Sequence, residues 1–413
     1  MSTSGTKFQV ISRSDYTEQH IVTAPPLSTP LAPSSVRARP SVLSLIVNTL
    51  NCASHPELKI GWWDVHLLPE NTPAPFDDVN KYGRIGVWGW ATVTESTIDG
   101  ILPGARLYGF FPVATLPVDL QLRPTGAAGI YRETSPFRAQ AMRIYNTYEV
   151  HSPHTIGDET SQALDAIAKP TFRLGFLLER YCFNPTQCIH PADPDLAWTP
   201  GDADLTDTIV VLASATSKTA LGFAYMLARR EQEKQPAHVV ALTSSTSASF
   251  AANTGWYSDI VTYENAEQVA LIGTRGRRVV IIEFGGRQES AARAYRSVKE
   301  QGSRSVLFLG VGGEVKKDAF KYTPEAVSAM MQQGIVLLNT GSINEMAEAT
   351  LGEEGETKLN EEFYASWSDF KKNGFPGMNI HWGRGIEEYA KAYEKMCNGE
   401  VKADTGLVFK MEE

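Results

Sequence analysis

Cysteine is scarce in this chain: four residues in 413. That is too few for a disulfide framework, and a reducing, cytoplasmic setting is expected. Cys182, Cys188 and His190 lie close together, but their spacing fits no common zinc pattern and no structural metal is expected there. No apolar run approaches the ~18 residues of a membrane-spanning helix. Met1 to Lys7 shows no apolar segment of a secretory signal. Positive charge is also short, with 38 Lys and Arg against 47 Asp and Glu and a net charge of −9. That balance argues against nucleic acid or an anionic membrane as the main partner. No Gly-x-Ser-x-Gly elbow and no convincing Cys/His pair points to a hydrolase. The G-x-G-x-x-G fingerprint of dinucleotide-binding turns is missing as well.

What is present is a core: 42% of residues are hydrophobic and 21% charged, in a length that allows two or three domains. Residues 1 to about 33, with the Pro-rich Ala24 to Pro33, read as an irregular lead-in. Val36 to Val47 is strand-like, with Pro40 marking an edge or a bulge. Gly86 to Thr94 and Arg106 to Phe111 flank the turn-rich Gly100 to Gly104, which predicts a small barrel or sandwich. Helix is expected over 136–149 and 158–182. From residue 207 strands and helices alternate. Strands are predicted at Ile209–Ala213, His238–Leu242, Ile260–Tyr263, Val279–Glu283 and Val306–Leu309. Helices are predicted at 217–231, 247–254, 287–301 and 323–333. Such alternation implies a parallel sheet with right-handed crossovers, whose ligands sit at the carboxyl ends of the strands. Further helices at 343–350, 359–372 and 385–398 and a strand near Leu407–Lys410 close the chain.

The stretch from Ile209 to Arg229 carries the most chemistry. A run of β-branched residues passes through a small polar turn, Ser214 to Lys218, into an apolar helix. Such a turn aims free N–H groups and the positive helix end at its occupant, commonly a phosphate. Ser214 and Ala215 are small enough for close approach, and Thr216, Ser217, Lys218 and Thr219 add hydroxyls and a cation. An ordinary strand-to-helix turn with a Ser cap is the plain alternative. Lys218 is badly placed at a helix start unless an anion answers it. Thr243, Ser244 and Thr246 follow the second strand, where no carboxylate is available for a ribose 2′-hydroxyl. A solvated Ser/Thr loop explains them equally well. Glu283 either orients a ligand at its strand end or caps the next helix. Tyr145 could donate a proton in a reaction and Asn51 could polarise a carbonyl, though a buried tyrosine is more often core. Trp62, Trp63, Trp88 and Trp90 are core or pocket lining, and His381 reads as structural.

The chain resembles the medium-chain dehydrogenase/reductase superfamily and, within it, the DUF2855 family. The resemblance rests on Ser41 to Leu45 with Asn48 and Asn51, on Tyr82 to Trp90, and on Gly104 to Pro112. It continues through Tyr145 to Tyr148, Ser214 to Thr219, Ala241 to Ser244 and Gly399 to Leu407. It implies an α/β fold: a GroES-like β-rich domain, 1–165 completed by 340–413, and a Rossmann-type doubly wound parallel sheet domain, 166–339. It also implies NADP(H) in the cleft between them, with Gly310 and Gly312 of the Gly310-to-Gly313 loop against the nicotinamide, and a possible homodimer. Two departures matter. Zinc-dependent relatives carry Gly-His-Glu where this chain has Trp88-Gly89-Trp90, and a Cys ligand near Asn51, so zinc-independent chemistry is expected. Close relatives carry an Arg where this chain has Ser245-Thr246-Ser247.

The expected activity is an NADP(H)-dependent reduction of a small apolar carbonyl compound or conjugated enone, a reaction suited to secondary metabolism. Tyr145 or Asn51 would hold the oxyanion. The alternative is a repurposed enzyme catalysing a non-redox step, such as isomerisation, cyclisation or lysis, with the cofactor absent or vestigial. A cofactor-sensing protein without turnover is the third reading.

Overall fold

The computed structural model describes residues 6–411 other than 55–61, 154–156, 286–288, 313–314, 316–324, 326–327, 329, 331 and 333. The first part of the chain forms β1 (Thr6–Ser12), β2 (Gln19–Ala24), β3 (Ser35–Leu45), α1 (Val47–Ser54) and β4 (Tyr82–Gly83). It continues with β5 (Gly86–Ser96), β6 (Arg106–Pro112), β7 (Val118–Pro124), β8 (Ile130–Glu133) and β9 (Thr147–His151). Helix α2 (Glu159–Leu177), capped by the Asp158 carboxylate on the Ser161 N–H, leads out of this part through a π turn.

The next stretch holds α3 (Pro200–Ala203), β10 (Ile209–Ala213), α4 (Lys218–Ala228), β11 (His238–Thr243), α5 (Ala248–Thr254) and β12 (Asp259–Thr262). Then come β13 (Arg278–Glu283), α6 (Ser290–Glu300), β14 (Ser305–Gly310) and β15 (Ile335–Leu337). These strands form one six-stranded sheet of order β12-β11-β10-β13-β14-β15, with parallel pairings throughout. Both faces of β10 and β13 are buried, which is why they read as continuous apolar runs rather than alternating ones. The order reverses beside β10, the switch point where ligands of such sheets bind.

The chain ends with α7 (Thr340–Thr350), α8 (Gly355–Asn373), β16 (Asn379–Arg384), α9 (Gly385–Cys397) and β17 (Thr405–Lys410). β16 and β17 join the eight-stranded sheet β16-β17-β3-β5-β6-β9-β8-β7, which an added β3–β7 pairing curls into a barrel. The β3–β5 register shifts on either side of Ala38 to Pro40, so the proline falls at a bulge. Helix α2 packs on α4 at glycine contacts. A Cβ on Gly175 would lie 2.6 Å from the Phe223 nitrogen, and one on Gly222 would lie 3.2 Å from the Phe172 Cα. Gly222, the lone glycine after the polar turn, therefore serves helix packing.

Two expectations need correction, and two strands were not expected. The lead-in is not irregular from Thr6 to Ala24, where β1 and β2 pair antiparallel over a small separate core of Phe8, Val10 and Val22; the Pro-rich residues after Ala24 are irregular as expected. Residues 136–149 are not helical but form two short 3-10 turns and the start of β9. Tyr148, fully buried, donates to the Phe110 carbonyl at 2.7 Å, so that segment is recruited as a strand by β6 and β8. β15 is only three residues long, and Asn379–Arg384 has only Ile380 and Trp382 as apolar residues in alternation, so neither strand was expected. The helix expected at 323–333 falls largely outside the described residues.

Candidate active site

The turn after β10 is held tightly. Ser214 adopts the left-handed region at φ 57° and donates to Glu283 Oε1 at 3.2 Å. The Gly285 N–H reaches the same carboxylate oxygen at 2.9 Å. Glu283 therefore pins two strand-end turns together and is buried in doing so. Thr216 and Thr243 face each other across the ends of β10 and β11 at 3.4 Å. Ser217 is the N-cap of α4, its Oγ accepting from the Ala220 N–H at 3.2 Å. Ser244 Oγ lies 3.0 Å from Thr246 Oγ1 and 2.9 Å from Ser247 Oγ, a hydroxyl cluster at the surface beyond β11. The first N–H groups of α4 have no partner inside the helix. Hydroxyls and a helix N-terminus at the switch point are a donor set that fits a dinucleotide.

Lys218 faces elsewhere. Its ammonium donates to the Ala403 and Thr405 carbonyls at 3.4 and 3.3 Å, tying α4 to β17. Burial pushes its pKa down to about 8, against the opposing pull of Asp404. Gly310 ends β14, and its carbonyl accepts from Leu338 N–H at 2.9 Å. The Val311 and Gly312 amides donate to the Glu283 carbonyl at 2.9 and 3.3 Å. Gly313 lies outside the described residues.

A cavity of about 460 Å³ lies among α2, α7, α8 and the barrel strands. Its floor is Asn339 to Ser342, the start of α7, which directly follows β15. One wall is aromatic, with Trp88, Tyr108, Phe363 and Tyr364. The other is charged. Lys169 Nζ donates to Glu149 at 2.8 and 3.1 Å and sits 3.9 Å above the Tyr108 ring. Burial pushes the Glu149 carboxyl up, but Lys169 and His151 more than reverse this and hold it at about 2. Burial also raises the Tyr364 phenol well above its ordinary value, and Glu149 adds to the effect. At the rim Arg132 donates to Glu356 at 2.6 Å, and Arg143 to Glu348 and Glu356 at 2.6 and 3.0 Å.

Tyr145 and Asn51 are not among the described residues lining this cavity. Tyr145 is buried behind it, 5.6 Å from Trp88 and 4.8 Å from Phe110 between ring centroids. Burial, then the neighbouring Cys52, raises its phenol pKa well above the ordinary value. Asn51 lies on α1, where its buried Oδ1 has no hydrogen-bond partner among the described residues. Trp88 and Thr147 are the members of the expected pocket that reach the cavity. The cavity is therefore not the apolar pocket expected between residues 48–51, 88–90 and 145–148 and the Gly310 loop, and its own lining is part aromatic and part charged. Trp90 and Trp88 are buried in the barrel, and no group of three His, Cys, Asp or Glu able to hold a metal occurs among the described residues. His190 Nδ1 instead accepts the Ala192 and Asp193 amides.

Glu149, Lys169, Arg173 and Tyr364 were missed in the sequence. A signal for the helix members existed: Asp165, Lys169 and Arg173 recur every four residues within an otherwise apolar α2, and a charged stripe on a buried helix needs partners.

A family model described as "Protein of unknown function (DUF2855)" matches residues 43–402. The chain belongs to the DUF2855 family. No curated protein matches it. Among solved structures it is similar to CurA from Vibrio vulnificus in complex with NADPH, at 13% identity and a TM-score of 0.57 over 98% of this chain and 99% of that one. It is also similar to the CurF ER cyclopropanase of the curacin A biosynthetic pathway, at 11% identity and 0.58 over 99% and 100%. The JamJ enoyl reductase matches at 11% and 0.54, again over 99% and 100%. At these identities the likeness establishes the fold, a GroES-like barrel with a Rossmann-type sheet, shared with medium-chain reductase-like enzymes. No helix among the described residues is long and apolar enough to cross a membrane.

Proposed function

We propose that this member of the DUF2855 family is a zinc-independent, NADP(H)-dependent reductase of a small carbonyl compound or conjugated enone. The observation that carries the reading is the hydroxyl-lined switch point at the ends of β10 and β11, and the cavity bounded by α2, α7 and α8, which reaches the sheet at the segment that follows β15, is read as the substrate chamber. The similarity to an NADPH-bound structure of the same fold supports it. Thr216, Thr243, Ser244 and Thr246 with the N-terminus of α4 would hold the dinucleotide, and Gly310 to Gly312 would leave room for the flat ring. Ser214 and Ser217 shape that turn, and Lys218 anchors it to β17. A bound reduced nicotinamide supplies hydride. The aromatic wall holds the apolar part of the substrate and excludes water. Tyr364 keeps its proton to high pH, hydrogen-bonded to Glu149, and its hydroxyl would turn from that carboxylate to a substrate oxygen that gains negative charge. On this reading Tyr364, rather than Tyr145 or Asn51, is the oxyanion partner.

Titrating NADPH and NADH while following protein fluorescence tests the cofactor. NADPH is expected to bind more tightly, because no carboxylate follows β11; equal affinity, or no binding, defeats the reading. Thr246→Asp would place that carboxylate and should cost NADPH at least about tenfold while sparing NADH. A second reading has its own support in the cyclopropanase likeness and in the absence of an arginine from Ser245 to Ser247. In it the same cavity performs a non-redox step. Product formation without loss of reduced nicotinamide absorbance would decide for it.

A further inference from the structure

The charges around the cavity do not all cancel in the same way. Lys169 is answered by Glu149, and Arg132 and Arg143 by Glu348 and Glu356. Arg173, on the next turn of α2 after Lys169, is different. Its hydrogen-bond acceptors among the described residues are neutral amide oxygens: Asn344 Oδ1, reached by Nε at 3.1 Å and Nη2 at 2.9 Å, and Asn360 Oδ1, reached by Nη1 at 3.1 Å. These three bonds orient the guanidinium and leave about two of its five N–H donors to spare. The group lies 4.8 Å over the Phe363 ring, half-buried, and lines the cavity. Asn344 is itself held by donating to Glu348 at 2.7 Å, so the carboxylate nearest the pair is already engaged by Arg143 and Asn344. Glu348, Glu149 and Glu356 act on the guanidinium through space, but its hydrogen bonds go to the two amides, so its spare N–H donors are left for an anion that enters the cavity, and a planar guanidinium favours a planar one.

We infer that the cavity recognises a flat, apolar small molecule bearing one carboxylate, with the carboxylate on Arg173 and the apolar body against Trp88, Tyr108 and Tyr364. This rests on reading the cavity as the substrate chamber. It narrows the substrate from a neutral carbonyl compound to an unsaturated or oxo acid. A benzenoid acid with a short side chain fits 460 Å³ with space left for the reacting end of a second ligand.

The test uses the full chain with trans-cinnamate and cinnamamide as probes, which share shape and differ in charge. Calorimetric titration is expected to show the acid binding about tenfold or more tightly than the amide. Arg173→Gln should abolish that preference and Arg173→Lys should retain part of it. Leu174→Trp, which fills the cavity and leaves Arg173 in place, should remove binding of both probes and guards against misfolding of the arginine variants. Equal binding of acid and amide, binding of neither, or a preference that survives Arg173→Gln overturns the inference. Displacement of NADPH by cinnamate also overturns it, because Arg173 would then serve a cofactor phosphate. NADPH binding with no selectivity for the acid would leave the reductase reading standing and this inference refuted.

Discussion

Replacing Lys169 by Met keeps the length of the side chain and removes its charge. The consequence follows from what Lys169 faces. Glu149 is buried, accepts two bonds from the ammonium, and has His151 at 3.2 Å as its other cationic neighbour. With Lys169 present its carboxyl is held near 2 rather than at the ordinary 4.5. At ~1.36 kcal/mol for each tenfold change in proton affinity, that fall is worth on the order of 3 kcal/mol. Breaking a buried pair by deleting one member costs about 3–5 kcal/mol, because the other charge is stranded. Lys169→Met should therefore lose stability of that order at pH 7–8. The sign of its pH dependence should also reverse. In the native protein the depressed carboxyl contributes stability that is complete above about pH 4.5 and is lost as pH falls towards 2, so stability is flat from 5 to 8 as far as this group is concerned. In the variant burial dominates and the carboxyl is raised, so stability grows as pH falls from 8 to 5 and Glu149 takes up a proton. Asp165 keeps the Lys371 ammonium and the Trp367 indole N–H and should not strand. Urea denaturation at several pH values measures all of this, and Lys169→Met with Glu149→Gln should recover most of the loss at pH 7. A loss that does not change with pH, or a double variant no better than the single one, would refute the reasoning.

Tyr145→Phe should reduce turnover by less than about threefold, because the hydroxyl lies behind Trp88, whereas Tyr364→Phe should cost about tenfold or more; steady-state kinetics with the Tyr145 variant a hundredfold slower would return Tyr145 to the mechanism. Gly89→Ala would place a Cβ 2.1 Å from the Val42 carbonyl oxygen across the β3–β5 pair, and soluble yield and denaturation should both show a severe loss. For Lys218, whose folded pKa of about 8 lies below its ordinary 10.5, stability should rise as pH climbs from 8 to 10. Lys218→Met should flatten that rise in thermal denaturation, and an unchanged slope would show that the ammonium is solvated.

The Rossmann-type sheet was largely legible. Ile209–Ala213 is the same in sequence and structure, and its four parallel neighbours expected from the apolar runs sit within a residue or two of their predicted bounds. These strands are buried on both faces, so composition alone marks them. The helices of the C-terminal part were legible for the related reason that each presents an apolar stripe. β9 was not, because its strand character comes from β6 and β8 on either side, and its own residues also suit a helix. β15 was lost to shortness, and β16 because only two apolar residues, Ile380 and Trp382, carry its alternation. The resemblance carried the order of the parts, including the return of the last strand to the barrel.

The candidate site divides along the same line. Ser214, Thr216 and Thr243 are close in space because β10 and β11 are adjacent, and a strand–turn–helix pattern says that in advance. Lys218 shows where local pattern stops being informative. Read within its own turn it answers a phosphate; in the fold its ammonium meets carbonyls 185 and 187 residues further along. The cavity is built almost wholly from such distant pairs: Arg132 meets Glu356 across 224 residues, and Arg173 meets Asn360 across 187. What a sequence does offer for these is a debt rather than a partner. Charges at Asp165, Lys169 and Arg173 on one face of an apolar helix must be compensated somewhere, since an unpaired buried charge costs several kcal/mol. Two of the three find opposite charges among the described residues, in Lys371 and Glu149. The third hydrogen-bonds to neutral amides at the wall of a cavity and feels carboxylates only through space, and that difference is the ground for reading it as a binding group rather than a structural ion pair.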